Sequence, residues 1–497
     1  MFSRRVAILR DRLALKHLDA LAGGLDLTRV LAAHLTFPAA ANRGGGHAEW
    51  IGRFSMKTRT GLVAGLLAAL VSQAAGFARA EVPAKAGATS PALTQTIAAD
   101  YPHLRSLYED IHQHPELGFQ EKRTAARLAA EMRGLGFDVT EGVGGTGLVA
   151  LYRNGPGPVV MVRTELDGLP MEEKTGLAYA SRATAAWNGA KTFVAHSCGH
   201  DVHMTVWAGA AKALLARKDQ WRGTLMFVAQ PDEEGDRGAR AMLADGLFKR
   251  FPRPDYALAL HVAPIPYGTF GFRPGPTMAA SDTVEITFRG RGGHGAAPQT
   301  AIDSIVVAAR FIVDLQTIIS REKDPNEFGV ATIGAIQGGT VGNIIPDDVT
   351  VRGTLRSYEP GVREALVRGV RRTAEASALM AGAPAPEVKI FDGVSPLVND
   401  AALTTRLAAV LSANFPDRVA LIPPITGSED FSEYGAAGVP SFYYIVGALD
   451  PGQVSAAAKA GTSLPGNHSP LFAPVPEPTI TMGAQSMTLL VLDLLHR

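Results

Sequence analysis

The residues best suited to bind metal ions lie far apart in the chain, between positions 198 and 468. They are Cys198, His200, the adjacent pair Glu233 and Glu234, His261 and His468. Cys198 and His200 are two positions apart, so in an extended segment both could bind one centre. Adjacent carboxylates on a strand would point to opposite sides, so one could bind metal while the other faces a bound water. One thiolate, three imidazoles and at least one carboxylate exceed the four ligands of a structural zinc site, and they predict two metal ions at a partly open site.

Each of these residues also has an ordinary explanation when it is considered alone. A buried cysteine is usually a small apolar side chain, and a pair of glutamates is usually a solvated turn. The metal site is favoured because every candidate lies in a segment rich in glycine or proline beside an apolar run. For His196 and His203 we expect a supporting or structural role, and Asp201 is a candidate to orient a ligand histidine.

The elements that would position these side chains follow from short apolar runs separated by helical patterns. Buried strands are predicted at residues 158–162, 224–229, 256–260 and 442–446, and helices at residues 124–135 and 205–216. This alternation predicts an α/β fold with a mostly parallel sheet. Ligands bind at the carboxyl ends of strands in such sheets, and polar clusters follow three of these strands directly. The candidate ligands are therefore expected to converge.

The middle of the chain follows a different pattern. Strands at residues 283–288, 330–336, 349–355 and 387–391 alternate with helices at residues 300–319 and 363–379. The order β-α-β-β-α-β is that of the ferredoxin-like unit. We therefore predict a catalytic domain formed by residues 95–275 and 394–497, with a second domain, residues 276–393, inserted into it.

Composition excludes several classes of protein. The 497 residues are 46% hydrophobic and 19% charged, with a net charge of +1, so a disordered chain is disfavoured and nothing indicates a nucleic-acid or anionic-membrane partner. Cys198 is the single cysteine, so no internal disulfide can form. Residues 142–147 match the G-x-G-x-x-G pattern, but here an apolar strand follows the glycines. A dinucleotide site requires the strand to come first, so nucleotide binding is not expected.

The amino-terminal region has the features of a targeting segment. Residues 56–80 contain Lys57 and Arg59, an apolar run and the sequence Ala78-Arg79-Ala80, as in a secretory signal peptide cleaved near Ala80. The alternative is a membrane anchor, but the apolar run is about half of the roughly 20 residues that a span requires. We expect an exported protein, periplasmic or secreted, with no stable membrane anchor after cleavage. Residues 1–55 are then an upstream extension outside the fold.

Seven short motifs occur in one order along the chain. They are HQHPELGF from His112, RTELDGLP from Arg163, CGHDVH from Cys198, QPDEEG from Gln230, GGHG from Gly292, GGTVGN from Gly338 and NHSP from Asn467. In this combination the chain resembles the metal-dependent amidohydrolases that include hippurate hydrolase, N-acyl-amino-acid amidohydrolases and indole-acetyl-amino-acid hydrolases. These are relatives of aminoacylase and glutamate carboxypeptidase. The resemblance implies a di-metal catalytic domain with an inserted lid or dimerisation domain.

The resemblance also implies roles for individual residues. The positions that match the metal ligands are Cys198, His200, Glu234, His261 and His468. Glu233 matches the general base, His294 a histidine that holds the substrate carbonyl and often reaches a neighbouring subunit's site, and Asn343 a residue near the substrate. Glu165 departs from the family, which often has Asp there. A homodimer or higher homo-oligomer is expected.

The activity implied is hydrolysis of N-acyl amino acids to a carboxylic acid and a free amino acid, with two divalent ions per site. Thiolate and imidazole ligands suit Zn²⁺, whereas carboxylates admit Mn²⁺, and Co²⁺ or Ni²⁺ are further candidates. Two alternatives stay open: a metallo-dipeptidase or carboxypeptidase, and a metal-binding protein without catalysis. Glu233 beside Glu234 argues against the second alternative.

Overall fold

The computed structural model describes residues 91–496. The strands are, in chain order, β1 (Asp138–Val143), β2 (Gly147–Asn154), β3 (Val159–Glu165), β4 (Thr184–Trp187), β5 (Ala190–Phe193), β6 (Gly223–Gln230), β7 (Tyr256–Pro266), β8 (Phe270–Phe272), β9 (Gly275–Met278), β10 (Ala280–Arg289), β11 (Gly293–His294), β12 (Gly329–Gln337), β13 (Ile344–Ile345), β14 (Asp348–Ser357), β15 (Glu387–Asp392), β16 (Leu397–Asn399), β17 (Val419–Leu421) and β18 (Ser441–Leu449). The α-helices are α1 (Pro91–Gln113), α2 (Lys122–Gly134), α3 (His200–Leu215), α4 (Gly238–Ala244), α5 (Leu247–Arg250), α6 (Ser304–Thr317), α7 (Pro360–Met380), α8 (Ala401–Asn414), α9 (Ser432–Ala436), α10 (Pro451–Ala460) and α11 (Pro476–Leu495).

The larger sheet has eight strands in the order β1-β2-β6-β3-β7-β18-β8-β17. Its four central strands, β6, β3, β7 and β18, are parallel, and antiparallel pairs lie toward the edges. Helices α1, α3 and α11 pack together on one face, where Trp207, Phe227 and Leu490 are fully or almost fully buried. Met226, Tyr434 and Tyr443 belong to a second core cluster. Coverage of both faces explains why the central strands are uninterrupted apolar runs.

The smaller sheet is antiparallel, with strand order β12-β14-β10-β15. Its apolar residues, which include Phe288 of β10, form a separate core with Phe311 of α6 and Leu366 of α7. The order confirms the prediction of a ferredoxin-like unit inserted into an α/β fold. Strands β9 and β16, which flank the unit in sequence, pair with each other. The numerical domain boundaries stay predictions.

The first helix of this unit is shorter than its sequence pattern indicated. Residues Pro298–Thr300 form a 3₁₀ turn, and α6 begins only at Ser304. The Asp303 carboxylate accepts hydrogen bonds from the backbone N–H groups of Ile305 and Val306, at 3.0 and 3.2 Å, which stabilises this start. After α6 the chain continues into a π-helical turn, Ile318–Glu322.

The amino-terminal predictions lie outside the described residues. They comprise the extension at residues 1–55 and the signal peptide at residues 56–80, so export stays a prediction, which amino-terminal sequencing of the mature protein would test. Among the helices of residues 91–496, none combines the length and apolarity required to cross a membrane.

Candidate metal centre

The structure brings all five predicted ligands and Glu233 together. Cys198 Sγ lies 3.3 Å from His261 Nε2, and His468 Nε2 lies 3.3 Å from Glu234 Oε2. His200 Nε2 is 3.6 Å from Glu233 Oε2. Their donor atoms form three overlapping groups in which all atoms lie within 4.8 Å of one another: Cys198 with His200 and His261, Cys198 with Glu234 and His468, and His200 with Glu233 and Glu234. Because Cys198 belongs to two of these groups, the donors suit a pair of neighbouring ions.

The loop before α3 places Cys198 and His200 in a compact turn. Gly199 has a left-handed φ of 95°, and a Cβ atom there would lie 2.4 Å from Cγ2 of Val262, so this turn requires glycine. His200 is the first residue of α3. The expectation of an extended segment was therefore wrong. A left-handed turn followed by a helix brings the two side chains together.

Glu233 and Glu234 lie in a turn after β6, which ends at Gln230. The expectation that strand geometry would point them apart was also wrong, because both carboxylates reach the ligand cluster around His200. The turn is closed by the backbone N–H of Asp236, which donates to the Glu233 carbonyl oxygen at 2.7 Å.

His468 is held against the cysteine loop by backbone contacts. It has a φ of 65°, and its backbone N–H donates to the Ser197 carbonyl oxygen at 2.8 Å. The side chain of Asn467 donates to the carbonyl oxygens of Cys198 and Val262, at 2.8 and 3.1 Å. Asn467 thus joins three distant segments of chain at the centre.

The hydrogen bonding and burial of the donor atoms fit a site for divalent cations. His200 Nε2 and Glu234 Oε1 are buried and have no hydrogen-bond partner within the described part of the chain. Buried polar atoms rarely lack partners, so these two atoms indicate a missing positive ligand. Burial, followed by the carboxylates of Glu234 and Glu233, raises the pKa of the Cys198 thiol well above its usual range. Metal binding would therefore displace a proton from Cys198.

Two of the imidazoles are oriented by their other ring nitrogen. His200 Nδ1 donates to the carbonyl oxygen of Asp167 at 2.8 Å, and His261 Nδ1 donates to that of Val262 at 2.7 Å. Both rings therefore present an unprotonated Nε2 to the cluster when neutral. The Asp167 carboxylate also accepts the backbone N–H of Glu234 at 3.0 Å. Asp167 holds both a ligand ring and a ligand backbone.

His203 lies beside the cluster but supports it. The backbone N–H of Val262 donates to His203 Nε2 at 2.9 Å, so that nitrogen carries no proton and has no capacity left for a metal ion. Nδ1 therefore carries the proton and donates it to Glu165 Oε2 at 3.0 Å. The ring lies 4.6 Å from that of His261, edge to face. His203 thus buttresses a predicted ligand, in agreement with the supporting role expected for it.

The centre opens into a cavity of about 470 Å³. Its wall contains Met278, Ile425 and Ile445 on the apolar side, and Arg356 and Asp236 among its charged groups. Arg356 comes from β14 of the inserted unit, and its Nη1 donates to Ser428 Oγ at 2.8 Å. Among residues 91–496, no carboxylate lies within 4 Å of the Arg356 guanidinium.

The sequence and the fold are both matched by known proteins. A sequence profile of peptidase family M20/M25/M40 matches residues 161–460, more than half of the chain. The chain belongs to this family. It is 34% identical to thermostable carboxypeptidase 2 of Saccharolobus solfataricus over 77% of this chain and 93% of that protein. It is 40% identical to hippurate hydrolase of Campylobacter jejuni over 51% of this chain and 64% of that protein.

A solved structure shows the same fold. A dinuclear metal-binding peptidase of the M20 family from Bacillus subtilis aligns with a TM-score of 0.65 and 28% identity, over 80% of this chain and 99% of that one. The resemblance expected from the seven motifs is therefore confirmed. The protein is a metal-dependent M20 hydrolase of C–N bonds, with a catalytic centre for two divalent ions.

Two predicted residues of this M20 hydrolase lie away from the cavity. His294 in β11 and Asn343 next to β13 are exposed on the inserted unit, and neither lines the cavity. They are close to each other, because β11 pairs with β13 and the backbone N–H of Gly295 donates to the Asn343 carbonyl oxygen at 2.8 Å. Their roles stay predictions.

Sequence reasoning missed a buried charge cluster behind the M20 centre. The Arg163 guanidinium donates to Gln230 at 3.0 Å, to Glu429 and Asp430 at 2.8 Å each, and to Glu165. Glu429 also accepts the hydroxyl of Tyr443 at 3.0 Å. The acidic pair at positions 429–430 lies in a polar segment before β18, much as Glu233 and Glu234 lie in a polar segment after β6. A polar cluster near a buried strand was therefore the signal that could have revealed the charge cluster.

Arg163→Met is expected to destabilise the protein by about 3–5 kcal/mol, because three buried carboxylates lose their common cation. Urea unfolding of the metal-loaded protein measures this free energy. Arg289→Met is the matched control, since that side chain is exposed and its one ion pair within residues 91–496 is with the exposed Glu387, at 3.2 Å. Its effect should stay below about 1 kcal/mol. Equal effects of the two changes would contradict the structural role of Arg163.

Proposed function

We propose that this M20 hydrolase cleaves the amide bond of hippurate-like N-acyl amino acids, releasing a carboxylic acid and a free amino acid. The observation that carries the proposal is the Arg356 guanidinium, which lines the same cavity as the metal ligands and has no carboxylate within 4 Å in residues 91–496. A cation in this position suits the carboxylate of the amino-acid half of the substrate. The similarity to hippurate hydrolase supports the same activity.

Glu233 is the group best placed to move protons. When bound, divalent ions polarise an amide carbonyl and acidify water. Glu233 Oε2 lies next to the ligand cluster, 3.6 Å from His200 Nε2, where it can take a proton from water and pass it to the leaving amine. Burial, followed by the carboxylates of Glu429, Glu234 and Asp430, raises the pKa of Glu233 well above its usual range. A raised pKa suits a group that must accept a proton and then release it.

The remaining walls of the cavity orient the substrate. Arg356 would hold the carboxylate, and the apolar patch of Met278, Ile425 and Ile445 would receive an apolar part of the molecule. Contact on both sides fixes the amide between Glu233 and the metal ligands. Pre-orientation of this kind lowers the entropic part of the barrier.

For the metal ions we propose Zn²⁺ or Mn²⁺. The thiolate of Cys198 and the three imidazoles favour Zn²⁺, whereas Glu234 admits Mn²⁺, and Co²⁺ or Ni²⁺ are compatible with the same ligands. Metal analysis of protein purified without added metal, together with reconstitution by each ion, identifies the active form.

A second candidate function is that of a dipeptidase or carboxypeptidase. The similarity to thermostable carboxypeptidase 2 favours it, and a peptide's terminal carboxylate would bind Arg356 equally well. A panel of N-benzoyl and N-acetyl amino acids compared with dipeptides separates the two. Higher kcat/KM for the N-acyl substrates is expected, and preference for dipeptides would contradict our proposal.

Arg356→Met is expected to remove the preference for a free carboxylate. The wild-type protein should cleave N-benzoylglycine with a kcat/KM about 100-fold above that of N-benzoylglycinamide, because the amide cannot pair with the guanidinium. In the variant this ratio should approach one.

Arg352→Met is the matched control for Arg356. Arg352 lies in the same strand but pairs with Glu285 at 2.7 Å, outside the cavity. This variant should retain the wild-type ratio. An unchanged ratio in Arg356→Met would contradict the assignment of Arg356.

We further propose a homodimer in which His294 completes the site of the partner. His294 is exposed and lies outside its own cavity, and the inserted unit exposes Ile336, Val341 and Ile344. Strand β12 is an edge of the smaller sheet, and unpaired edges favour association. These features support an interface on the inserted unit.

Complementation between inactive variants tests this arrangement. His294→Ala and Glu233→Gln should each be inactive alone. After subunit exchange, about a quarter of all sites should carry both wild-type side chains in a two-fold dimer, and activity should recover to about that level. No recovery, with mixed dimers demonstrated, would contradict the exchange of His294.

A further inference from the structure

Asp236 is a charged group in the cavity that has no part in the proposed reaction. It ends the turn that carries Glu233 and Glu234, and it has a left-handed φ of 57°. Aspartate tolerates this conformation better than most residues do. The side chain lines the cavity, and its Oδ2 atom accepts a hydrogen bond from Ser428 Oγ at 3.4 Å.

Asp236 has no cation in direct contact with it. Burial raises the pKa of Asp236 to about 6, and Arg356 opposes that rise through space. Its neighbour Arg237 is directed to Asp232, with contacts of 2.7 and 3.1 Å, and stacks over the Phe119 ring. Within residues 91–496, no Lys, Arg or His nitrogen lies within 4 Å of the Asp236 carboxylate. Arg356 is separated from it by Ser428, which contacts both side chains. The cavity wall therefore presents an anion and a cation that do not contact each other directly, one on each side of a hydroxyl.

We propose that Asp236 determines side-chain specificity by favouring amino acids with a positively charged side chain and disfavouring acidic ones. This inference rests on the proposed function, in which Arg356 holds the substrate carboxylate. With that group on Arg356, a side chain that extends past Ser428 meets Asp236. A lysine or arginine side chain gains a charge-assisted hydrogen bond there. An acidic side chain would instead bring a second substrate carboxylate close to the carboxylates of Asp236 and Glu429, which line the same cavity and repel it.

An alternative role for Asp236 is to orient Arg356 through Ser428. Asp236→Asn separates the two roles, because an asparagine keeps an acceptor for the Ser428 hydroxyl but removes the charge. A purely orienting residue would affect all substrates alike. A charge-selecting residue changes the ratios between substrates that differ only in charge.

The test uses the metal-loaded, full-length protein at pH 8 and two matched substrate pairs. In the wild type, the kcat/KM for N-benzoyl-lysine should exceed that for N-benzoyl-norleucine by about tenfold, and N-benzoyl-glutamine should exceed N-benzoyl-glutamate by a similar factor. In Asp236→Asn and in Asp236→Ser, both ratios should fall to within about twofold of one. Asp417→Asn is the matched control, because Asp417 is exposed outside the cavity and has a similar φ of 62°.

Two results would overturn the specificity role: wild-type ratios near one, or ratios that are unchanged in both Asp236 variants. Hydrolysis of the neutral substrates in the same experiment would still uphold the proposed function. Cleavage of dipeptides with no turnover of any N-acyl amino acid would overturn the proposed function, and the specificity role with it.

Discussion

Glu233→Gln is expected to lower kcat by about 1,000-fold while both metal ions stay bound. Glutamine has nearly the same shape but cannot accept a proton at Oε, and general acid–base catalysis contributes about 10²–10⁴-fold in enzymes. Glu233 is buried beside the ligand cluster, and Glu234 is the carboxylate that we assign to the metal. The measurement is kcat for an N-benzoyl amino acid, paired with metal analysis of the same sample.

Two variants serve as controls for this experiment. Glu234→Gln should lose metal content as well as activity, because its carboxylate belongs to the ligand group with Cys198 and His468. Glu364→Gln, at an exposed position on α7, should leave both quantities unchanged. Activity of Glu233→Gln within tenfold of the wild type would rule out Glu233 as the general base.

Removal of the metal ions is expected to abolish activity and to lower stability. The ions bind only the folded arrangement of the ligands, so they stabilise it by about 4 kcal/mol for each ion held at 1,000 times its dissociation constant. Without them, the carboxylates of Glu233 and Glu234 and the unpartnered Nε2 of His200 stay buried together. Both kcat and the urea midpoint, measured before and after chelation, should fall.

Adding metal ions back to the chelated protein provides the control for this experiment. Adding Zn²⁺ or Mn²⁺ should recover activity and stability together, whereas Ca²⁺ should not, because it prefers six to eight oxygen ligands. Recovery should weaken as the pH falls, because the ion competes with protons for the thiol of Cys198 and for the imidazoles. Undiminished turnover by protein containing less than about one ion per ten chains would refute the di-metal scheme.

The fold was predictable to a large extent because its signals are local. Residues 224–229 and 256–260 are uninterrupted apolar runs, and they became β6 and β7 in the centre of a sheet covered on both faces. The alternating strands and two helices of the insertion determine a ferredoxin-like order by themselves. The start of α6 was harder to predict, since Asp303 and the preceding 3₁₀ turn compete with a helical pattern that begins earlier.

The site was predictable in composition and less so in geometry. The types of the candidate ligands pointed to two metal ions, because a thiolate, three imidazoles and a carboxylate exceed the four ligands of a structural zinc site. The direction in which Glu233 and Glu234 point could not be predicted from the sequence, because a turn stabilised by distant contacts replaces the expected strand.

The sequence by itself determined the class of fold and the family, and it predicted the metal-binding residues, because apolar periodicity and short motifs are properties of neighbouring residues. The tertiary structure decided which groups share the cavity. Arg356 and Ser428 are 72 positions apart, and Arg163 meets Glu429 across 266 positions. Such pairs leave no local pattern, because each is created by the crossing of separately folded elements. The charges that we expect to orient and select the substrate therefore emerge only when the inserted unit and the large sheet come together.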